Sequence, residues 1–280
     1  MQLEKIFATA VKYNASDIYI SVGIKPTLRI HGDLYPIEEH PILTKTIAED
    51  YILELMNEDQ KVHFRDNLDI DFAIEIPGVA RLRANVFIQN KGIGSVFRII
   101  PAAVKSIDDM NLPTHIKKFA ELKQGIVLVT GPTGQGKSTT LAALINEINK
   151  NRETNIITIE DPIEFIHQNQ KSIIHQREVG IHTKTFGNAL KASLREGTDV
   201  ILLGELRDYE TISLALTAAE TGHLVLSTLH TSGAAKTVDR IIDAFPSSEQ
   251  NQARTQLAES LRAVIWQQLL KTADGQNRVA

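Results

Sequence analysis

Gly131-Pro132-Thr133-Gly134-Gln135-Gly136-Lys137-Ser138 lies between the apolar run Ile126-Val127-Leu128-Val129 and a helical stretch from Ser138 to Asn149. A glycine-rich turn between a buried strand and a helix N-terminus points successive backbone amides at one spot, and that spot suits phosphate oxygens. Lys137 adds a point charge, and the Ser138 hydroxyl is placed to ligate Mg²⁺. Gly131, Pro132, Thr133, Gly134, Gln135, Gly136, Lys137, Ser138 and Thr139 are therefore the candidate nucleotide-binding residues, with ATP and Mg²⁺ as the expected ligands. A chance match in a chain of this length is about a one-in-a-hundred event, and the flanking strand and helix lower that further.

Working outward, three more continuous apolar runs share the pattern of strands buried on both faces: Ile156-Ile157-Thr158-Ile159, Val200-Ile201-Leu202-Leu203 and Leu224-Val225-Leu226-Ser227. Helical stretches at Phe186 to Arg195, Tyr209 to Ala219 and Ser247 to Leu270 lie between and after them, the last opened by a Ser247/Gln250 capping box. The alternation predicts an α/β doubly wound domain over 114–280 with ligands at the carboxyl ends of its strands. Upstream, helical spacing from Leu3 to Tyr13 and from Thr44 to Met56 is mixed with strand-like runs at Ser16 to Val22, Thr27 to His31, Asp69 to Ile76, Arg81 to Gln89 and Gly94 to Ile100. These predict a small α+β domain over 1–100 with a mostly antiparallel sheet, joined by a linker over 101–113 that has proline at both ends.

Composition narrows the chemistry. With 280 residues, 42% hydrophobic and 23% charged, the chain has the make-up of a globular protein. It has no cysteine, so thiolate nucleophiles and cysteine-ligated zinc are excluded. A net charge of −4 and 5% aromatic residues offer neither a basic stripe nor stacking platforms, which argues against a nucleic-acid partner. No apolar run approaches bilayer length, so no transmembrane segment is expected.

Polar constellations end the other strands, where the metal and the attacking water would lie. Glu205, in Asp199-Val-Ile-Leu-Leu-Gly-Glu-Leu-Arg-Asp208, suits the Mg²⁺ water shell or polarisation of the nucleophilic water, and reads equally well as an ordinary charged strand terminus. Thr158-Ile159-Glu160-Asp161-Pro162-Ile163-Glu164 places three carboxylates at one strand end and supplies a general base. His223 and His230 bracket the fourth strand without zinc-ligand spacing; His230 is read as a γ-phosphate sensor or water positioner, against a purely structural histidine. In the first domain Arg81 and Arg83 alternate with apolar residues and project from one sheet face, with Arg98 on a nearby strand. They form either a solvated face or arginine fingers that reach nucleotide in an adjacent subunit.

Together with Ala15-Ser16-Asp17-Ile18, Gly204-Glu205-Leu206-Arg207-Asp208, Ala218-Ala219-Glu220-Thr221-Gly222-His223 and Thr228-Leu229-His230-Thr231, these motifs resemble the bacterial type II/type IV secretion ATPases over the whole chain, closest to the PilT-like pilus-retraction (twitching motility) branch. The resemblance implies a RecA-like P-loop ATPase domain preceded by a PAS-like α+β domain, a homo-hexameric ring, and nucleotide held between the domains near a neighbouring subunit. It implies a cytoplasmic protein peripheral to the inner membrane, working on a pilus platform protein. It assigns the catalytic base to Glu164, a second acid to Glu205, which also serves the metal through water, a histidine motif to His230, and nucleotide-approaching roles to Arg81, Arg83 and Arg98. The absence of a tetracysteine element favours retraction over pilus assembly or secretion; a RecA-like nucleic-acid translocase and a non-hydrolysing assembly module are the other readings. Tyr19 replaces a common His, and Gly197-Thr198 replaces a common Asp-Pro. Gln135 replaces the usual loop Ser and is expected to contribute mainly its backbone. Relatives continue past Ala280 through a helical region, so the ATPase domain reads as truncated.

Overall fold

The structure is a computed structural model that describes residues 2–100, 103–273 and 278–280. Two compact units divide the chain, Met1–Ala102 and Ala103–Ala280. Residues 101 and 102, where the expected linker begins, lie outside the described residues.

The first unit is a six-stranded sheet, antiparallel throughout, in the order β3-β2-β1-β6-β5-β4, with β1 Asp17–Ser21, β2 Thr27–Ile30, β3 Asp33–Pro36, β4 Asp69–Ile76, β5 Ala80–Gln89 and β6 Gly92–Ile100. Alternation along the strands sends Ile18, Ile20, Leu82, Ala84, Val86 and Phe97 to one face, where all are buried. Helix α1, Gln2–Lys12, covers that face with Leu3, Ile6, Phe7 and Ala10, one turn apart, and Phe7 meets Phe97 edge-on at 5.2 Å between centroids. Helix α2, Lys45–Leu53, adds Ala48 and Ile52 to the same core, and α3, Glu58–Asn67, adds Phe64. Sequence periodicity overlooks α3 because Phe64 is its one buried side chain. The helix is instead fixed at its start by a capping box between Asn57 and Gln60, an arrangement worth about 1 kcal/mol.

In the second unit six parallel strands run in the order β12-β7-β11-β10-β8-β9: β7 Gly125–Thr130, β8 Asn155–Glu160, β9 Ile173–Glu178, β10 Val200–Leu203, β11 Leu224–Leu229 and β12 Leu261–Trp266. Helices α4 Lys137–Asn151, α5 Phe186–Ser193, α6 Tyr209–Glu220, α7 Ala234–Asp243 and α8 Gln250–Ser260 accompany the sheet, with a 3-10 helix at Thr114–Glu121. Strands β7 and β11 are buried at every position, and two apolar clusters lie on the two faces of the sheet: Ile126, Leu128 and Val225 in one, Val127, Val129 and Leu226 in the other. Ile107 and Leu112, from the weakly patterned stretch upstream, are buried in the second of these clusters.

One expectation is overturned here. The stretch Ser247 to Leu270 is not one helix: α8 ends at Ser260 and the chain becomes β12 at Leu261. No Ser247/Gln250 capping box forms, since Glu249 is the N-cap and makes no side-chain cap bond. Leu261 to Trp266 is extended because β7 needs a partner on its open edge, and the parallel pairing Val264 to Leu128 and Trp266 to Thr130 supplies it. Because β8 lies beyond β11 and β10 from β7, the β7–α4–β8 crossover leaves a crevice above β7 at the carboxyl ends of the strands.

Candidate active site

At the end of β7 the chain turns through Gly131, Gly134 and Gly136, whose φ values of +146°, +76° and +79° are left-handed backbone that other L-residues avoid. Two of them are also needed for space. A Cβ on Gly131 would come within 2.3 Å of the Gln267 carbonyl oxygen, and one on Gly136 within 2.9 Å of Gln267 Nε2, whereas Gly134 has open surroundings. Gly131→Ala is therefore expected to destabilise the protein by about 2–4 kcal/mol, since backbone strain and overpacking add. Gly134→Ala, with strain alone, should cost about 1 kcal/mol. Chemical denaturation midpoints check the ranking.

Gly136 is the N-cap of α4, so the amides of Lys137, Ser138 and Thr139 open the helix without intrahelical acceptors. Lys137 is buried, and its Nζ donates to Gly131 O at 2.8 Å and Pro132 O at 3.0 Å. Burial lowers the Lys137 pKa, and the charge of Glu205 opposes that shift.

Glu205 follows β10 and is set by backbone bonds to both neighbouring strands: Gly204 N donates to Ile159 O at 2.8 Å and Leu206 N to Thr228 O at 3.1 Å. Hydroxyls reinforce this, Ser227 Oγ donating to Leu203 O and Thr228 Oγ1 to Gly204 O. The Glu205 carboxylate accepts from Arg207 Nε at 2.9 Å and lies 3.4 Å from His230 Nε2. His230, just past β11, turns its other nitrogen to Thr133 Oγ1 and Lys137 Nζ, each at 3.4 Å. Lys137 Nζ can only donate, the Thr133 hydroxyl can donate or accept, and the neighbour of Nε2 is a carboxylate, so a hydrogen on Nε2 rather than Nδ1 suits these contacts. Lys137, His230 and Glu205 thus form one chain of polar contacts from the phosphate loop to β10. His223 is elsewhere, at the start of β11, with Nδ1 3.0 Å from Ala218 O.

The loop after β8 carries the other carboxylates, and β9 holds it. Gln176 Nε2 donates to Phe165 O at 2.8 Å, Gln176 Oε1 accepts from His167 N, and Glu178 Oε2 accepts from Ile163 N at 2.9 Å. Glu160 turns inward, accepting from Thr158 Oγ1 at 2.7 Å and Gln176 Nε2 at 3.3 Å, while Glu164 remains on the loop. Burial pushes the Glu160 carboxyl from 4.5 up to about 7, against the hydrogen bonds that favour its charge. The folded protein therefore binds an extra proton between those values, and its stability falls as pH rises from 4.5 to about 7, then levels. Glu160→Gln should flatten that fall, seen in the denaturation midpoint against pH.

The three candidate arginines belong to the first unit. Arg83 and Arg98 are cross-strand partners on β5 and β6, and Arg81 lies opposite Glu75. Arg83 Nη2 bonds Asp71 Oδ2 at 2.6 Å, and Arg98 Nε bonds the buried Asp17 at 3.0 Å.

Two glutamines depart from the sequence reading. The Gln135 side chain is engaged rather than a bystander, its Oε1 accepting from Leu269 N at 2.7 Å. Gln267, which sequence reading overlooks, is buried against the loop: Thr140 Oγ1 donates to its Oε1 and its Nε2 donates to Gln135 O, each at 2.7 Å. No local spacing signals it, because its position depends on the β7–β12 pairing.

Comparison with known proteins agrees with this architecture. The model of the type II/IV secretion system protein family matches residues 1–280. A twitching motility protein of Neisseria gonorrhoeae is 54% identical over 255 residues, covering 91% of this chain and 68% of its own length. The type IV pilus retraction ATPase PilT of Pseudomonas aeruginosa is 48% identical over 280 residues, covering all of this chain and 81% of its own. A crystal structure of the pilus retraction motor PilT with bound ADP superposes with a TM-score of 0.92 at 43% identity, over 99% of this chain and 80% of that one.

Proposed function

Because the chain belongs to the type II/IV secretion system protein family, we propose that it is a motor that hydrolyses Mg·ATP to power retraction of type IV pili, the activity named for its PilT relatives. The observation that carries this reading is the contact chain Lys137–His230–Glu205 above a glycine cradle at the carboxyl edge of a parallel sheet. The cradle fits a polyphosphate: its glycines are left-handed, Gly134 is open on the side a Cβ would fill, and α4 begins there with free amides.

In this reading Lys137 and the loop amides bind the β- and γ-phosphates. The Ser138 hydroxyl would hold Mg²⁺ directly and Glu205 through water, hard oxygen donors for a hard cation, and Mg²⁺ when bound neutralises charge on the phosphates. Glu164 takes the proton of the attacking water. His230 senses the γ-phosphate, since its Nδ1 already faces the lysine that binds it. Arg81, Arg83 and Arg98 serve nucleotide at a subunit boundary in a ring of six copies. The ring acts at the cytoplasmic side of the inner membrane against a pilus platform protein. Among the described residues no helix is long and apolar enough to cross a membrane.

The test is Mg²⁺-dependent ATP turnover against protein concentration, with light-scattering mass on the same samples. A rate per subunit that rises as a six-subunit species appears supports shared sites. A rate independent of concentration from a monomer removes the ring and the arginine roles and leaves a bare ATPase; no turnover sinks the motor.

A further inference from the structure

We propose that Gln267 is a positioning residue for nucleotide binding, holding the phosphate loop and the first turn of α4 in register from outside the loop. The inference rests on the nucleotide-binding reading above and adds to it a residue from a different strand. Gln267 follows β12, and its backbone N–H donates to Thr130 O at 2.8 Å, continuing the ladder with β7 to the last residue before the loop. The residue is only 6% exposed, and its side chain uses both ends of its amide: Oε1 takes the hydroxyl of Thr140 on α4, and Nε2 gives a hydrogen bond to the carbonyl of Gln135 in the loop. One residue, through its backbone N–H and its side-chain amide, therefore ties the strand before the loop, the loop itself and the helix after it.

The Gln135 bond has a specific consequence for the cradle. In a planar trans peptide the carbonyl and the following N–H point in opposite directions. With Gln135 O turned toward Gln267, the Gly136 N–H is turned away from β12. Gly136 is left-handed and would otherwise be free to rotate that peptide, having no side chain to resist it. Gln267 supplies the restraint that the glycine lacks. A Cβ on Gly136 would meet the Gln267 side-chain amide, and one on Gly131 would meet the Gln267 backbone carbonyl, so both glycines leave room for this residue. Gln135 adds a second tie, accepting from Leu269 N, so the loop is bound to the chain beyond β12 at both its backbone and its side chain. A loop held in this way binds phosphate without first paying to order its amides.

Gln267→Met keeps length and shape and removes both hydrogen bonds. Gln267→Glu keeps the acceptor for Thr140 but sets an oxygen against the Gln135 carbonyl. ADP affinity by calorimetry is expected to fall about tenfold in Gln267→Met and further in Gln267→Glu. KM for ATP should rise in step while kcat at saturation stays within about threefold, because the loop's ground-state grip is lost and the reacting groups are not. A substitution that only loosened the fold would lower the melting temperature without changing ADP affinity of the folded fraction, and that result overturns the proposal, as does an unchanged affinity in both variants. Thr140→Val tests the other end of the tie should either variant fail to fold: it should weaken ADP binding, and Thr140→Ser should restore it; equal affinity in the two overturns the proposal. Absence of ATP turnover in the unmodified protein would sink the motor reading, whereas the effect of Gln267 is read separately in ADP binding.

Discussion

Glu205→Gln is expected to bind ATP and ADP within about threefold of the unmodified protein while its turnover at saturating Mg·ATP falls by about a hundredfold or more. Glutamine has the same shape and retains an oxygen that can accept from Arg207 Nε, and the strand end that carries it is fixed by backbone bonds to β8 and β11 that the substitution does not touch. What disappears is the negative charge that faces Lys137 and lies 3.4 Å from His230 Nε2. If that charge serves Mg²⁺ and the attacking water, its loss is felt where charge develops and hardly at all in the ground state. Turnover equal to the unmodified protein would remove Glu205 from the mechanism. A parallel loss of nucleotide affinity would instead make it a binding residue.

Lys137→Ala should have the opposite signature, loss of measurable nucleotide binding, with affinity down by at least about a hundredfold. The lysine is buried, its ammonium already desolvated and held by two loop carbonyls, so it meets phosphate in a site where a charge counts for more than in water. Alanine also strips Gly131 O and Pro132 O of their donor. Calorimetric titration with ADP gives the answer independently of turnover, and retention of affinity within tenfold would mean that the loop amides alone bind the phosphates.

The parts of this molecule that could be read from sequence are those where local pattern and tertiary environment say the same thing. Strands β7, β8, β10 and β11 are covered on both faces, so each is a continuous apolar run whose bounds are legible within a residue or two. The outer strands β9 and β12 of the same sheet are not legible in this way. Strand β9, Ile-Ile-His-Gln-Arg-Glu, has polar residues because Gln176 and Glu178 reach across to hold a loop, a use that no periodicity reports. Strand β12 follows α8 with no glycine or proline between them, so nothing local marks the change from helix to strand; the vacancy beside β7 decides it. Helix α7 escapes the sequence reading although its Thr237, Ile241 and Ile242 are buried, and the exposed β3 has no apolar alternation to betray it.

The site divides along the same line. The phosphate loop is contiguous, and its chemistry is legible in residue types and spacing. Glu205 and His230 were legible as polar residues closing buried strands, and the structure brings both to Lys137. Gln267 is separated from Gln135 by more than a hundred residues and acts through a strand pairing, so only the fold could reveal it.

The sheet gives these groups unequal footing. Glu205 and His230 follow strands laced on both flanks, whereas Gln267 follows β12, which among the described residues is laced to β7 on one flank and has an irregular register near Leu261. An outer strand can peel away while the interior keeps its hydrogen bonds, so it is drawn from the softer end of a domain's range of local opening. The reacting groups thus stand on interior strands, and the restraint that Gln267 places on the loop stands on an outer one. A machine that must clasp and discard in every cycle profits from that division: its jaw can slacken while its tools stay in place.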